Sequence, residues 1–286
     1  MKSDIPLFDL TRAVGPGSQS DDDGLSYMPM PKEMYTFEPP RLPEEEELAT
    51  APGILLQLER LQRALDQYRP GQGTQRLELD ALDATTLTLL HQLLGEGEVA
   101  LQIDAEVKIR SQETVLAGVW WMQQFDAAEN LSRQWLEVAD VPQSARDYAF
   151  ADGAIPEQVP APTAGVLNAA PVLVELLDVA REHQATPLEI PHVINLSLLP
   201  FSPEDHAFLA QQLGQGKVVI LSRGYGNCRI TATAVAGIWR VQYFNSTDQL
   251  ILDTLEVIDM PQVACAAQED LADSAQRLGE IREVLA

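Results

Sequence analysis

The feature that most constrains this chain is an internal repeat. Ala117-Gly118-Val119-Trp120 recurs as Ala236-Gly237-Ile238-Trp239, and the spacing from Gly118 to Gly237 is 119 residues. The same spacing, without a gap, carries Leu94-Gly95-Glu96-Gly97 onto Leu213-Gly214-Gln215-Gly216 and Leu136-Glu137-Val138 onto Leu255-Glu256-Val257. It also carries Asp140, Pro142 and Gln143 onto Asp259, Pro261 and Gln262. Extended upstream, it pairs Leu77 and Leu79 with Leu196 and Leu198, and Pro52 and Leu58 with Pro171 and Leu177. A register held over this length predicts a tandem duplication: a first repeat at 51–150, a linker at 151–169 and a second repeat with a C-terminal helix at 170–286.

Each repeat reads as α+β with a largely antiparallel sheet packed by helices. Apolar residues recur at helical steps over Ile54 to Tyr68 and Val172 to Arg181. Leu77 and Leu79 then alternate with Arg76, Glu78 and Asp80, and Ile194, Leu196 and Leu198 alternate with Asn195 and Ser197, the period of a half-buried strand. A helix follows in each half. Asp83 caps the first, whereas Ser202, Pro203 and Asp205 form the start signal of the second. Gly95 and Gly214 stop them. Three strands are predicted next, near 99–103, 115–125 and 131–138, repeated in the second half. A helix follows Pro142, and a longer one after Pro261 runs on through Leu285.

Residues 1–50 differ in character, with Gly15-Pro16-Gly17-Ser18, Asp21-Asp22-Asp23, scattered prolines and Glu44 to Glu47. They predict an acidic, mostly disordered leader. The whole chain of 286 residues carries 43 acidic against 19 basic residues, a net charge of −24. No basic stretch tracks a phosphate backbone, so nucleic acid is excluded as a partner. The apolar runs fall short of a membrane span, and Met1-Lys2-Ser3-Asp4-Ile5-Pro6 has acid and proline where an export signal needs apolar residues, which predicts a cytoplasmic protein without membrane insertion.

Little here supports catalysis or cofactors. Cys228 and Cys265 are the two cysteines, no two of the four histidines share helical metal-ligand spacing, and no nucleophile elbow occurs. Gly95-x-Gly97 and Gly214-x-Gly216 follow helices and precede strands, the reverse of a dinucleotide motif. The expectation is a non-enzyme with no metal, cofactor or catalytic residue.

The two halves act as controls for each other, because polar differences between them point away from a purely structural role. Trp120 and Trp239 are equivalent and predict core, whereas Trp121 and Trp135 face Arg240 and Thr254 across the repeat. Those two form either an exposed aromatic binding patch or further packing. Arg223-Gly224-Tyr225-Gly226-Asn227-Cys228 stands opposite Asp104-Ala105-Glu106-Val107-Lys108-Ile109; it is either an ordinary hairpin or a tight turn presenting Arg223, Tyr225 and Asn227 outward. The last helix opens with Glu269, Asp270 and Asp273 and continues to Arg277, either as a solvated face or as an acidic surface for a basic peptide.

At Leu221-Ser222-Arg223-Gly224-Tyr225-Gly226-Asn227-Cys228-Arg229-Ile230, at Trp239-x-Val241-Gln242-Tyr243-Phe244 and at Glu269-Asp270-Leu271-x-Asp273-Ser274-Ala275-Gln276-Arg277-Leu278, the chain resembles the hydrogenase expression/formation family of the HupH and HyaF type. Gly15-Pro16-Gly17-Ser18-Gln19 and Leu93 to Val99 extend the likeness. The resemblance implies an accessory chaperone of uptake [NiFe]-hydrogenase maturation that binds the iron-sulfur small-subunit precursor before twin-arginine export, alongside a thioredoxin-like maturation protein. It implies no catalytic residues. Candidate contacts are Arg223, Tyr225, Asn227, Cys228, Arg229, Glu269, Asp270, Asp273, Arg277, Trp121 and Trp135; the alternative is an iron-sulfur carrier or thiol redox protein acting through Cys228.

Overall fold

The computed structural model describes residues 42–71, 73–223 and 226–285. The described residues divide into two compact units, one of 42–144 with those from Cys265 onward, the other of Ala145–Ala264.

The first unit opens with α1 (Glu45–Thr50), α2 (Ile54–Gln67), β1 (Gln75–Glu78) and α3 (Ala84–Leu94). It continues through β2 (Val99–Asp104), β3 (Lys108–Glu113), β4 (Val119–Phe125) and β5 (Leu131–Val138). The strands lie in the order β1-β5-β4-β3-β2, each antiparallel to its neighbour. The second unit contains α4 (Gln143–Ala149) from Ala145 on, α5 (Ala169–Ala185), β6 (His192–Asn195), α6 (Pro203–Leu213), β7 (Val218–Ser222), β8 (Asn227–Ala232), β9 (Ile238–Phe244) and β10 (Leu250–Val257). Its antiparallel order is β7-β8-β9-β10-β6.

The last helix, α7 (Gln268–Leu285), follows the second repeat in sequence but belongs to the first unit. Gln62 Nε2 on α2 donates to Ala275 O at 3.0 Å, and Leu271 fills the space beside Gly118. In the second unit, Phe150, just after α4, meets Trp239 edge-on at 5.2 Å.

Helix burial follows one pattern in both halves. Ile54, Gln57, Leu58, Leu61 and Ala64 are buried on α2, and Leu173, Leu176, Leu177, Ala180 and His183, each 119 residues on, are buried on α5. Each fully buried leucine contributes about 1.5–3 kcal/mol. Gly118 and Gly237 hold equivalent turns at φ of +78° and +80°, a backbone region that side chains with a Cβ resist.

The gapless register fails between the first two elements of each repeat. Gln75 lies opposite Val138 and His192 opposite Val257, so β1 and β6 correspond at a spacing of 117. The two-residue difference is recovered after β6, where Leu196–Leu198 forms a 3-10 turn in place of more strand. Asn195 starts it by accepting from Ser197 N at 3.0 Å, a local bond that competes with the sheet. The predicted strand at 115–125 starts only at Val119: Thr114 to Gly118 turn the chain, with Thr114 N donating to Val119 O at 2.8 Å, and before that turn lies a further strand, Lys108–Glu113, that the sequence pattern does not predict. After Pro261 the chain forms a 3-10 turn, Gln262–Ala264, before α7 begins.

Of the leader, residues 1–41 lie outside the described residues. Glu44 to Glu47 open α1, with Glu44 N donating to Glu47 Oε2 at 2.9 Å.

Both predicted helix starts form. Asp83 accepts from Thr86 N at 2.9 Å, and Ser202 with Asp205 makes a complete capping box. Asp205 does more, since it is fully buried and accepts from the amides of Leu167, Asn168 and Ala169 at 2.8, 2.8 and 2.9 Å, and from Ser202 N at 3.0 Å. Burial alone would raise its pKa, but the four amides outweigh that and hold the carboxyl well below its usual range. Its stabilisation is therefore present above the unfolded-state pKa, about 3.9, and is lost as pH falls below it. Asp205→Asn should cost about 3 kcal/mol in urea unfolding at pH 7, and the difference from wild type should shrink below about pH 4.

Candidate partner-binding site

The acidic start of α7 is the most exposed charged feature among the predicted contacts. Acids suit this position because the first turn of a helix leaves amide N–H groups without intrahelical acceptors. Leu271, Ser274, Leu278 and Leu285 turn inward, leaving Glu269, Asp270, Asp273 and Arg277 exposed. The helix is held from the sheet side, with Ala266 N donating to Asp140 O at 2.9 Å and Arg277 Nη1 to Val115 O at 3.3 Å.

Beside this end lies Glu113, the last residue of β3, only 8% exposed. Gly118 N donates to its Oε1 at 2.9 Å. Burial pushes the carboxyl up to about 7; the Gly118 bond opposes this, and the charges of Glu98 and Asp270 add to it. Glu113 therefore titrates near neutral pH within the field of Asp270, and a cation docking there would favour its ionised form. Its counterpart in the second half is Ala232, a polar-for-apolar difference that the repeat alone makes visible.

The other predicted contacts are dispersed. The Arg223–Arg229 segment belongs to the second unit, whereas α7 belongs to the first. Tyr225 lies outside the described residues, Arg223 is half-buried, and Asn227 Nδ2 donates to Asp248 Oδ1 at 3.2 Å. Cys228 and Arg229 are not contact residues on a surface. Cys228 is 2% exposed because it sits in β8 opposite Tyr243, and Arg229, 6% exposed, places its guanidinium 5.6 Å from the Phe244 ring centre. Burial pushes the Cys228 thiol up to about 12; a hydrogen bond with Tyr243 acts against this, and the charge of Glu256 adds to it.

Trp121 and Trp135 are buried as well, at 2% and 5% exposure, so they form no exposed aromatic patch. Trp121 meets His91 edge-on at 5.2 Å, and Trp135 Nε1 donates to Glu137 Oε2 at 3.0 Å. Both sit in inner strands whose two faces are covered. Among the described residues no group of three or more His, Cys, Asp or Glu is placed to hold a metal ion, and no helix is long and apolar enough to cross a membrane.

The family model described as "HupH hydrogenase expression protein, C-terminal conserved region" matches residues 48–153 and again 166–285. The chain belongs to this hydrogenase expression protein family. Among its relatives, "Hydrogenase expression/formation protein HupQ" of Azotobacter chroococcum mcd 1 is 58% identical over 276 residues, covering 96% of this chain and 97% of that one. "Hydrogenase expression/formation protein HoxQ" of Azotobacter vinelandii is 55% identical over the full length of both. "Hydrogenase-1 operon protein HyaF" of Escherichia coli is 34% identical, covering 96% of this chain and 95% of that one. The names of these relatives describe expression and formation of hydrogenase and assign no catalytic step.

Two outcomes follow for this hydrogenase expression protein. A carboxyl with a folded pKa raised from 4.5 to about 7 favours folding fully below pH 4.5 and loses that contribution, about 3 kcal/mol, as pH rises to 7. Glu113→Gln should flatten this part of the pH–stability profile and be more stable than wild type at pH 8, as read by urea unfolding. At pH 8 a disulfide thiol reagent should label Cys265 in the folded chain and reach Cys228 only after denaturation.

Proposed function

We propose that this family member is a maturation accessory protein that shields the iron-sulfur small-subunit precursor of an uptake [NiFe]-hydrogenase in the cytoplasm before twin-arginine export. It belongs to no enzyme class in this reading and acts by binding, in company with a thioredoxin-like maturation protein. The observation that carries the proposal is the exposed Glu269, Asp270 and Asp273 turn of α7, whose Asp270 acts on the neutral-range carboxyl of Glu113, in a chain of net charge −24. Family membership supplies the process, and the chemistry of this surface supplies the ligand class, a basic segment such as a twin-arginine signal. Arg277 serves from the same helix by anchoring it to Val115. The two halves arose by duplication at the 119-residue spacing, and residues 1–50 act as an acidic leader.

A thiol or iron-sulfur carrier working through Cys228 is disfavoured, because that thiol is buried in β8 and held near pKa 12. Calorimetric titration with the small-subunit precursor, with and without its signal, tests the proposal at two salt concentrations. Binding should require the signal, weaken with salt, and fall about tenfold in the Glu269→Gln, Asp270→Asn, Asp273→Asn triple variant. Equal binding of both precursor forms, or no loss in the folded triple variant, would sink it.

A further inference from the structure

The first unit holds a second charged feature of the opposite sign. Between α2 and β1 runs a groove of about 520 Å³ lined by Gln57, Arg60, Arg63, Gln67, Arg76 and Glu78, together with Ala64, Gln75 and Leu77. Three arginines meet one acid there, in a chain with 43 acidic and 19 basic residues. Glu78 is tied outward to Arg133 at 3.0 Å. Arg63 pairs with Glu59 along the helix, and Arg76 Nε holds the buried Glu137 Oε2 at 3.1 Å. Arg60 is exposed and has no ion-pair partner among the described residues. Gln57, 6% exposed, lines the groove with a side-chain oxygen that has no hydrogen-bond partner.

The groove is bounded by a sheet edge. β1 is the outermost strand of its sheet, and among the described residues it pairs with β5 alone. An unpaired edge offers main-chain donors and acceptors to another strand. From Gln57 to Gln67 the helix wall runs about 15 Å, and the four residues of β1 run about 13 Å, matching a short extended segment.

The second repeat shows that the fold does not require these charges. Arg60, Arg63 and Arg76 correspond there to Val179, Glu182 and Val193, at the spacings fixed by helix burial and strand register. Charged residues often protect an exposed strand edge, but the equivalent edge strand β6, His192-Val193-Ile194-Asn195, has no Asp, Glu, Lys or Arg.

We propose that the groove between α2 and β1 binds an extended acidic segment of a partner protein, which adds to the β1 edge through main-chain hydrogen bonds and sets its carboxylates against Arg60, Arg63 and Arg76. The site is independent of the α7 acids and selects the opposite charge. The probe is a fluorescently labelled pentapeptide alternating glutamate and valine, titrated by anisotropy into the full chain, with a lysine-valine peptide and an alternately N-methylated glutamate peptide as controls. The acidic peptide should bind; Arg60→Gln with Arg63→Gln should weaken it about tenfold, while the melting curve matches wild type and precursor binding is kept. N-methylation should abolish binding by removing the strand donors. Failure of the acidic peptide to bind the folded chain, equal binding of the lysine peptide, or indifference to the double variant would overturn the proposal. Undiminished binding of the N-methylated peptide, or full displacement by equimolar inorganic phosphate, would reduce the groove to a simple anion site and equally overturn it.

Discussion

Both units depend on one constraint, that their inner strands are buried on both faces. In β4 every residue from Val119 to Phe125 except Gln124 is buried, and in β9 Ile238, Trp239, Val241 and Gln242 are. Strands so enclosed have no face to offer a ligand, and polar side chains among them must find partners inside. Function is thereby pushed to helix ends, hairpin turns and outer strands. The α7 acids and the α2–β1 groove occupy two of these places.

The enclosed polar groups show how such a sheet is kept satisfied. Glu137 has no exposed surface, and its carboxylate gathers Arg76 from β1, the indole of Trp135 from its own strand and Gln143 N at 2.7 Å. One carboxylate thus ties an outer strand to the chain that leaves β5. In the second unit the same demand is met differently, with Asp253 held by Arg240 at 2.9 and 2.5 Å. Removing one member of either pair would strand a buried charge, so these residues belong to stability first. Arg76 serves both purposes, because its Nε is committed to Glu137 while its side chain lines the groove.

The two halves differ in burial as well as in residue type, and the two kinds of difference have to be taken together. Trp121 and Trp135 looked functional because their counterparts are Arg240 and Thr254, yet both are packed inside. Their difference reflects alternative ways of filling the strands, aromatic in one half and, in the other, the Arg240–Asp253 ion pair and the Thr254 hydroxyl bonded to Val241 O. Glu113 against Ala232, and Arg60 against Val179, are differences of the same kind in sequence. Only solvent exposure and neighbouring charge separate a substitution that repacks a core from one that equips a surface.

Much of the architecture was legible from the chain itself, because hydrophobic period, capping residues and turn glycines act over a few residues. The helix starts at Asp83 and Ser202 and the helix stops at Gly95 and Gly214 are of this local kind. The strand Lys108–Glu113 was not legible, since its burial comes from pairing on both sides and its sequence shows no apolar alternation. The offset of β1 against β6 was hidden because two length differences cancel across the repeat. What the tertiary structure alone decided is where distant segments settle: α7 joins the first unit, and Arg60 and Arg63 come to face Arg76 across a groove. An amphipathic stripe specifies that a helix must be covered but not by which surface, and charges far apart in sequence acquire a shared field only when packing sets their distance.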